Sequence, residues 1–280
     1  MTDTPFLVST DWLGQNIQDT NIRIIDATWH LPTSTQNAKE SFQKSHIPGA
    51  VFFDIDEIAD LENALPHMMP SDEKMASRIR AMGITNTNHI IIYDNSDFCT
   101  GARAWFMFKN FGHDKVSILD GGYQKWQKEN KPIETEIKGF PDSHFKAKLN
   151  QDRIRHIDQI TQNIQSKEEQ VVDARASGRF RGTAPEPRPN SKAGHIPGSF
   201  NVPFNELLNA DKTYKSVSET IEIFEKAGID LSKPIITSCG SGVTACVLLF
   251  ALERIGHHQN ALYDGSWSEW GTDPDTEIEK

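Results

Sequence analysis

The sequence predicts an α/β protein of two tandem domains, each with a mostly parallel sheet flanked by helices. Short apolar runs alternate with helical patterns along the chain, which is typical of parallel strands joined by helices. Three sequence patterns of the first half recur in the same order in the second half, which indicates a duplication. The 280 residues, of which 37% are hydrophobic, are enough for two such domains.

The repeated patterns fix the order of the predicted elements. An apolar run ending in an acid predicts a strand at residues 22–27 and again at 170–175, with Asp26 and Asp173 as equivalents. A His-Ile-Pro-Gly turn follows at His46 and at His195. An Asp-Gly pair before a Trp-containing helix begins at Asp120 and at 264. The offset between partners is nearly constant.

The best predicted strand-helix units lie between the second and third patterns of each copy. In the first copy a strand at 89–93 precedes a helix at 102–111, and in the second a strand at 234–238 precedes a helix at 245–255. We expect domains at 1–140 and 156–280 with a polar linker at 141–155. The acidic tail, residues 272–277, is expected to fray.

Composition excludes several classes of protein. The formal net charge of -10 argues against nucleic acid or an anionic membrane as partner. No run of about 18 apolar residues predicts a membrane span, and residues 1–7 lack the pattern of a secretory signal. Three cysteines without a CxxC pair predict neither a disulfide framework nor a metal site. We therefore expect a cytoplasmic protein without a metal or organic cofactor.

The candidate active site is the stretch that joins the predicted strand at 234–238 to the predicted helix at 245–255: Cys239-Gly240-Ser241-Gly242-Val243-Thr244. A cysteine at a strand end, before a Gly-rich turn and a helix, faces backbone N–H groups and the positive end of the helix dipole. That setting favours a nucleophilic thiolate. A small buried cysteine at a tight junction is the structural alternative.

The first copy lacks this thiol. The offset of the third pattern places Asn95 opposite Cys239 and Cys99 opposite Val243. We interpret Cys99 as a packing residue and Cys246 as a core position of the helix, with a redox role of Cys246 as the alternative. With one reactive copy, we expect the active site at the cleft between the copies.

Several motifs together carry a family resemblance, in this order: Asp173-Ala174-Arg175, Gly178-Arg179-Phe180, Pro185-Glu186-Pro187-Arg188, Gly194-His195-Ile196-Pro197-Gly198 and the Cys239 loop. The chain resembles the two-domain rhodanese-like sulfurtransferases over nearly its whole length. Its loop is similar to that of the 3-mercaptopyruvate branch, because the thiosulfate branch typically carries basic residues where Gly240 and Ser241 stand.

The resemblance implies a reaction and its residues. Cys239 would take sulfur from 3-mercaptopyruvate as a persulfide, release pyruvate, and pass the sulfur to a thiol such as thioredoxin or glutathione, or to cyanide. Arg179 and Arg188 would bind the donor, with solvated surface arginines as the alternative. The loop residues Gly240, Gly242, Val243 and Thr244 would complete the binding site, although the Thr244 hydroxyl could instead cap the helix.

The same resemblance implies a proton relay of Asp54, His67 and Ser241 that supplies a proton to the pyruvate enolate. The alternative is that Asp54 caps a helix or turn and that His67 is a loop histidine. His46 and His195 occur in both copies, so we interpret them as structural.

The sequence also bears on three other functions. Thiosulfate sulfurtransferase activity is the nearest alternative. A cysteine phosphatase needs an arginine six positions after the nucleophile, where this chain has Ala245. A non-enzymatic binding module is disfavoured because Cys239 and both arginines are present.

Overall fold

The computed structural model of the chain describes residues 4–280, so the first three residues of the N-terminal stretch without a signal pattern lie outside it. The described residues form two compact units. The first comprises the residues through Asp60, Pro70–Asn150 and Ala210–Tyr214, and the second comprises Leu61–Met69, Gln151–Asn209 and Lys215–Lys280. Each unit therefore includes a short segment that the sequence boundaries at 140 and 156 assign to the other half.

The first unit is a five-stranded parallel sheet in the order β1-β5-β4-β2-β3. Its strands are β1 Leu7–Val8, β2 Ile22–Asp26, β3 Val51–Phe52, β4 His89–Tyr93 and β5 Val116–Leu119. Its helices are α1 Thr10–Asn16, α2 Ala38–Lys44, α3 Ile55–Ile58, α4 Asp72–Ala81, α5 Gly101–Asn110 and α6 Gly122–Lys128.

The second unit repeats this sheet in the order β6-β10-β9-β7-β8, again fully parallel. Its strands are β6 Ile154–Arg155, β7 Gln170–Asp173, β8 Phe200–Asn201, β9 Ile235–Ser238 and β10 Asn260–Tyr263. Its α-helices are α7 Ile157–Ser166, α8 Ser177–Phe180, α9 Val217–Lys226, α10 Ala245–Arg254 and α11 Ser266–Trp270, with 3₁₀ turns at Gln151–Arg153 and Phe204–Leu207. The predicted tandem α/β fold is confirmed.

Burial explains why the central strands and two helices were visible in the sequence. All four residues of β9 are buried, as expected of a parallel strand covered on both faces. In α10 every residue from Ala245 to Glu253 is buried, and α5 is nearly as buried in the first unit. The loop that joins β9 to α10 is therefore fixed at both ends by the core.

The predicted linker is packed rather than free. Phe145 is 1% exposed, and the N–H groups of Ser143 and Lys148 donate to the carbonyls of Arg80 and Phe111. Ile154 and Arg155 already form β6. Residues 141–150 thus belong to the first unit.

The acidic tail does not fray, so that expectation is wrong. The Lys192 ammonium donates to the carbonyls of Asp273, at 2.6 Å, and Thr276, at 2.9 Å. Trp270 Nε1 donates to the Glu277 carbonyl at 2.9 Å. The charged ammonium group of Lys192 therefore holds the tail in place through carbonyl groups of its backbone.

Both His-Ile-Pro-Gly turns are built alike, which confirms their structural role. His46 Nδ1 lies 2.8 Å from the Phe42 carbonyl, and His195 Nδ1 lies 2.8 Å from that of Phe180. Each imidazole also stacks on the ring of the same phenylalanine, with centroids 4.2 Å and 3.8 Å apart respectively.

Throughout residues 4–280, no helix is both long enough and apolar enough to cross a membrane.

Candidate active site

The loop that contains Cys239 lies at the carboxyl end of β9, where parallel sheets place their ligands. Cys239 is 1% exposed. Its N–H donates to Ser266 Oγ at 3.1 Å, and its carbonyl accepts from Trp267 N at 2.9 Å. The Gly240 carbonyl accepts from Ser268 N at 2.8 Å. The first turn of α11 therefore fastens the loop.

The loop presents N–H groups at the start of α10. Within the described chain, no protein acceptor receives the N–H groups of Gly240, Ser241, Val243 and Thr244. Gly242 has a φ of 75°, a left-handed conformation that favours glycine and lets the loop turn. Unengaged N–H groups beside a helix N-terminus attract an anion. The loop can thus stabilise a thiolate or persulfide.

The Thr244 hydroxyl does not cap α10, so the capping interpretation is wrong. Thr244 occupies the N-cap position but has helical φ and ψ of -73° and -18°, and its side chain makes no capping hydrogen bond. A capping side chain needs an extended backbone at this position.

Arg179 and Arg188 converge on the loop. A β-carbon at Gly240 would lie 3.5 Å from Arg179 Nη2 and 3.5 Å from Arg188 Nη1. Arg188 Nη1 also lies 3.4 Å from the Gly240 carbonyl oxygen. Burial lowers the pKa of the Arg188 guanidinium, while the proximity of Cys239 acts in the opposite direction. The alternative of two solvated surface arginines does not hold.

Arg175 makes a buried ion pair with the aspartate at the end of β7. Its Nη2 lies 2.6 Å from Asp173 Oδ2, with both side chains almost fully buried. Its guanidinium also stacks over Trp267 at 4.0 Å and donates to the Gly194 carbonyl at 2.8 Å. Arg175 is therefore a structural residue, held by a carboxylate, an indole ring and a backbone carbonyl.

His67 and Ser241 are brought together inside the second unit. His67 Nδ1 lies 3.0 Å from Ser241 Oγ, and both side chains are buried. His67 belongs to the segment Leu61–Met69, which is anchored where Met69 N donates to Asp264 Oδ2 at 2.7 Å. The loop-histidine alternative leaves this contact unexplained.

Asp54 lies in the first unit, where it caps α3. Its carboxylate accepts from the N–H groups of Asp56 and Glu57 at 3.1 Å and 3.2 Å. The structure thus gives Asp54 the capping role that the sequence left open, and its part in a relay stays a prediction.

The first unit has Asp94, not Asn95, at the position of Cys239. The register pairs Asp26 with Tyr93 and Asp173 with Ser238, so the residue after each strand is Asp94 or Cys239. The Asp94 carbonyl accepts from Tyr123 N as the Cys239 carbonyl accepts from Trp267 N. The expected equivalence is off by one because the first loop is one residue longer before its helix.

The Asp94 carboxylate binds N–H groups of the loop that follows β4. It accepts from Ser96 N at 2.9 Å and from Gly101 N at 2.8 Å.

The other two cysteines are packing residues: burial raises the pKa of Cys99, and Cys246 is fully buried with its Sγ 3.2 Å from the Gly242 carbonyl oxygen.

Two supporting residues escaped the sequence analysis. Glu186 holds Arg179 through contacts of 2.6 Å and 3.2 Å, and Asp264 holds the His67 segment. Glu186 lies inside the Pro-Glu-Pro-Arg motif and Asp264 begins a repeated pattern. Both carboxylates thus lie in recognisable sequence patterns. A carboxylate that orients another side chain, however, occurs at no fixed sequence distance from it, so the pattern does not reveal this role.

The rhodanese-like domain profile matches the chain twice, at residues 9–129 and 156–273. The chain belongs to the rhodanese family. Its two matches correspond to the two parallel sheets, one with Cys239 and one with Asp94 at the same strand end.

Individual relatives of this rhodanese chain cover nearly all of it. The 3-mercaptopyruvate sulfurtransferase of Rattus norvegicus is 40% identical over 94% of the chain and 91% of the relative. The thiosulfate sulfurtransferase of Rattus norvegicus is 41% identical over 94% of the chain and 91% of the relative. The crystal structure of SseA from Escherichia coli, a 3-mercaptopyruvate sulfotransferase, superposes with a TM-score of 0.86 at 39% identity, covering 95% of this chain and all (100%) of SseA.

Proposed function

We propose that this rhodanese chain is a 3-mercaptopyruvate sulfurtransferase. One observation carries the proposal: the loop itself is neutral at Gly240 and Ser241, while the guanidinium groups of Arg179 and Arg188 reach its rim. A compact dianion such as thiosulfate benefits from cations inside the loop. A donor with one carboxylate and one ketone is suited to two guanidinium groups at the rim.

In the first half-reaction the Cys239 thiolate attacks the sulfur of 3-mercaptopyruvate. A sulfur–sulfur bond forms, the carbon–sulfur bond breaks, and its electron pair leaves on the pyruvate enolate. The Ser241 hydroxyl gives a proton to the enolate carbon and regains one through His67, 3.0 Å away. The sulfur of the donor becomes the outer sulfur of the persulfide and loses its thiol proton, so the number of protons is unchanged. Asp54 remains the predicted third member of this relay.

The unengaged N–H groups of the loop stabilise the persulfide that results. Val243 and Thr244 contribute here through their backbone N–H groups, and Gly242 contributes through its φ of 75°, which turns the loop. In the second half-reaction a thiolate or cyanide attacks the outer sulfur, and the Cys239 thiolate leaves. We propose thioredoxin, glutathione or cyanide as the acceptor, in a reducing cytoplasm that suits three cysteines outside any disulfide.

The decisive measurement is kcat/KM for 3-mercaptopyruvate and for thiosulfate, with a common acceptor. We expect 3-mercaptopyruvate to be the better donor, and Cys239→Ser to lose at least about a thousandfold with both donors because no persulfide forms. A wild-type preference for thiosulfate would assign the alternative donor. Full activity of Cys239→Ser would remove the nucleophile from the proposal.

His67→Ala tests the relay separately. We expect its turnover with 3-mercaptopyruvate to fall about a hundredfold, while turnover with thiosulfate, whose sulfite leaving group needs no proton at carbon, changes little. Equal losses with both donors would assign His67 a structural role only.

A further inference from the structure

Glu186 lies at the centre of the charged groups around the loop. Its Oε2 accepts from Arg179 Nη2 at 2.6 Å and from Arg179 Nε at 3.2 Å. Its Oε1 accepts from Arg175 Nη1 at 2.9 Å. The Glu186 side chain is only 5% exposed, so its charge acts on the site with little screening by water.

These bonds decide which donors Arg179 can offer to a substrate. Glu186 occupies Nε and Nη2, the edge of the guanidinium that normally binds a carboxylate in a bidentate pair. Nη1 is the guanidinium nitrogen that Glu186 does not bind, and it lies 3.8 Å from the position of a β-carbon on Gly240, beside Nη2 at 3.5 Å. Arg179 is thereby held over Gly240 with the Nε–Nη2 edge of its guanidinium bound to Glu186.

The same carboxylate also sets the net charge of the site. Arg175 and Asp173 form a buried pair that contributes no net charge. Arg179 and Arg188 supply two positive charges, of which Glu186 cancels one. These five side chains then carry one net positive charge, which has to balance the Cys239 thiolate as well as an incoming anion, so a second negative charge on the donor is disfavoured.

We infer that Glu186 is a specificity-determining residue, which makes the site prefer sulfur donors with one negative charge over dianionic donors. The inference rests on the proposed function and deepens it, because 3-mercaptopyruvate carries one negative charge and thiosulfate carries two. Glu186 acts through Arg179, so it is a positioning residue and not a catalytic one.

The test uses the full chain with Glu186→Gln, which keeps an acceptor for Arg179 but removes the charge. We expect the ratio of kcat/KM for 3-mercaptopyruvate to kcat/KM for thiosulfate to fall about tenfold, mainly through a lower KM for thiosulfate. Glu186→Asp retains the charge and should restore the wild-type ratio even if both rates fall.

Glu253→Gln is the matched control. Glu253 is a similarly buried carboxylate, paired with Arg153 at 2.8 Å, at the other end of α10 from the loop. Its substitution should leave the donor ratio unchanged. Equal loss of both donors in Glu186→Gln, with an unchanged ratio, would show that Glu186 only positions Arg179 and would overturn the inference.

A measurement on the wild-type protein is independent of how the variants fold. Methanethiosulfonate donates sulfur as thiosulfate does but carries one charge less. We expect the wild-type protein to use it with a higher kcat/KM than thiosulfate, and the opposite order would overturn the inference. If thiosulfate surpassed 3-mercaptopyruvate in the wild type, the proposed function would fail, whereas an unmoved ratio in Glu186→Gln fails only the role of Glu186.

Discussion

Two acidic side chains lie at the carboxyl ends of the neighbouring strands β2 and β4: Asp26 is buried and Asp94 is half-buried. Burial raises the pKa of each to about 6, although hydrogen bonds from Thr28 to Asp26 and from Ser96 and Gly101 to Asp94 act against it. The charge of Asp94 raises the pKa of Asp26 further. Each group therefore binds a proton more tightly in the folded chain than in the unfolded chain.

The pH dependence of stability follows from this sign. Between pH 4 and pH 6 the folded state binds more protons at these sites than the unfolded state, so their contribution to stability falls as the pH rises. Well above pH 6 both carboxylates are charged in either state, and burying each charge costs on the order of 3 kcal/mol.

Asp26→Asn imitates the protonated carboxyl group. In the wild-type chain Thr28 N donates to Asp26 Oδ1 at 2.8 Å, and the amide oxygen of the asparagine can still accept this bond. We expect this variant to be more stable than wild type at pH 8, and the difference to shrink toward pH 4. Urea unfolding at several pH values measures the effect. A constant difference across this range would contradict a raised pKa.

At the scale of elements, two short segments are held by equivalent aspartates. Met69 N donates to Asp264 Oδ2 at 2.7 Å in the second unit, and Tyr214 N donates to Asp120 Oδ1 at 2.8 Å in the first. Each aspartate directly follows a strand and is the first residue of an Asp-Gly pair. Only the first of these segments carries a residue of the candidate site, His67.

Because the bonds of Asp264 and Asp120 are equivalent, removing one serves as the control for removing the other. Asp264→Ala should displace His67 and lower turnover with 3-mercaptopyruvate about tenfold or more, with a smaller effect on thiosulfate. Asp120→Ala removes the equivalent bond and should leave the ratio of the two donors unchanged. In the double variant Asp264→Ala and His67→Ala, the losses should be clearly less than additive. Additive losses would mean that Asp264 does not act through His67.

The sequence predicted the elements whose burial leaves a continuous apolar pattern. The strand His89–Tyr93 has its predicted bounds, and the helices α5 and α10 begin and end within one residue of theirs. The strands β1, β3, β6 and β8 have two residues each, too few for any periodicity to appear. The duplicated sheet was thus predictable, but its edges were not.

The candidate site was predictable where residues belong to a motif and uncertain where geometry decides. Cys239, Arg179 and Arg188 lie together as their motifs suggested. Asn95 was assigned in place of Asp94 because one extra loop residue shifts the alignment between strand and helix. The supporting bonds of Glu186 join elements through side-chain geometry that no sequence spacing encodes.

At the scale of the whole molecule, both units close their histidine turn with a glutamate. Glu134 Oε2 accepts from Gly49 N at 2.8 Å, and Glu279 Oε2 accepts from Gly198 N at 2.7 Å. The backbone groups of each glutamate also pair with those of His46 or His195. In the second unit this glutamate is the penultimate residue of the chain.

A chain that ends at residue 276 should therefore lose stability in the second unit. It lacks the two backbone bonds to His195, the side-chain bond to Gly198 N and the bond from Trp270 Nε1 to the Glu277 carbonyl. These four bonds together contribute about 4 kcal/mol at roughly 1 kcal/mol each. Hydrogen exchange should quicken at Gly198, while Gly49 in the first unit serves as the internal control and should stay protected. Equal exchange at Gly198 in both chains would show that the tail is dispensable.

The membership of Leu61–Met69 in the second unit has a consequence for the evolution of the gene. A duplicated gene ordinarily stays divisible, since recombination at its midpoint can exchange or discard one copy. Here a crossover between the two halves would take His67 away from Ser241 and leave each unit without a segment of its own. The contact between His67 and Ser241 therefore requires both halves of the gene, although the two sheets that they encode remain duplicates.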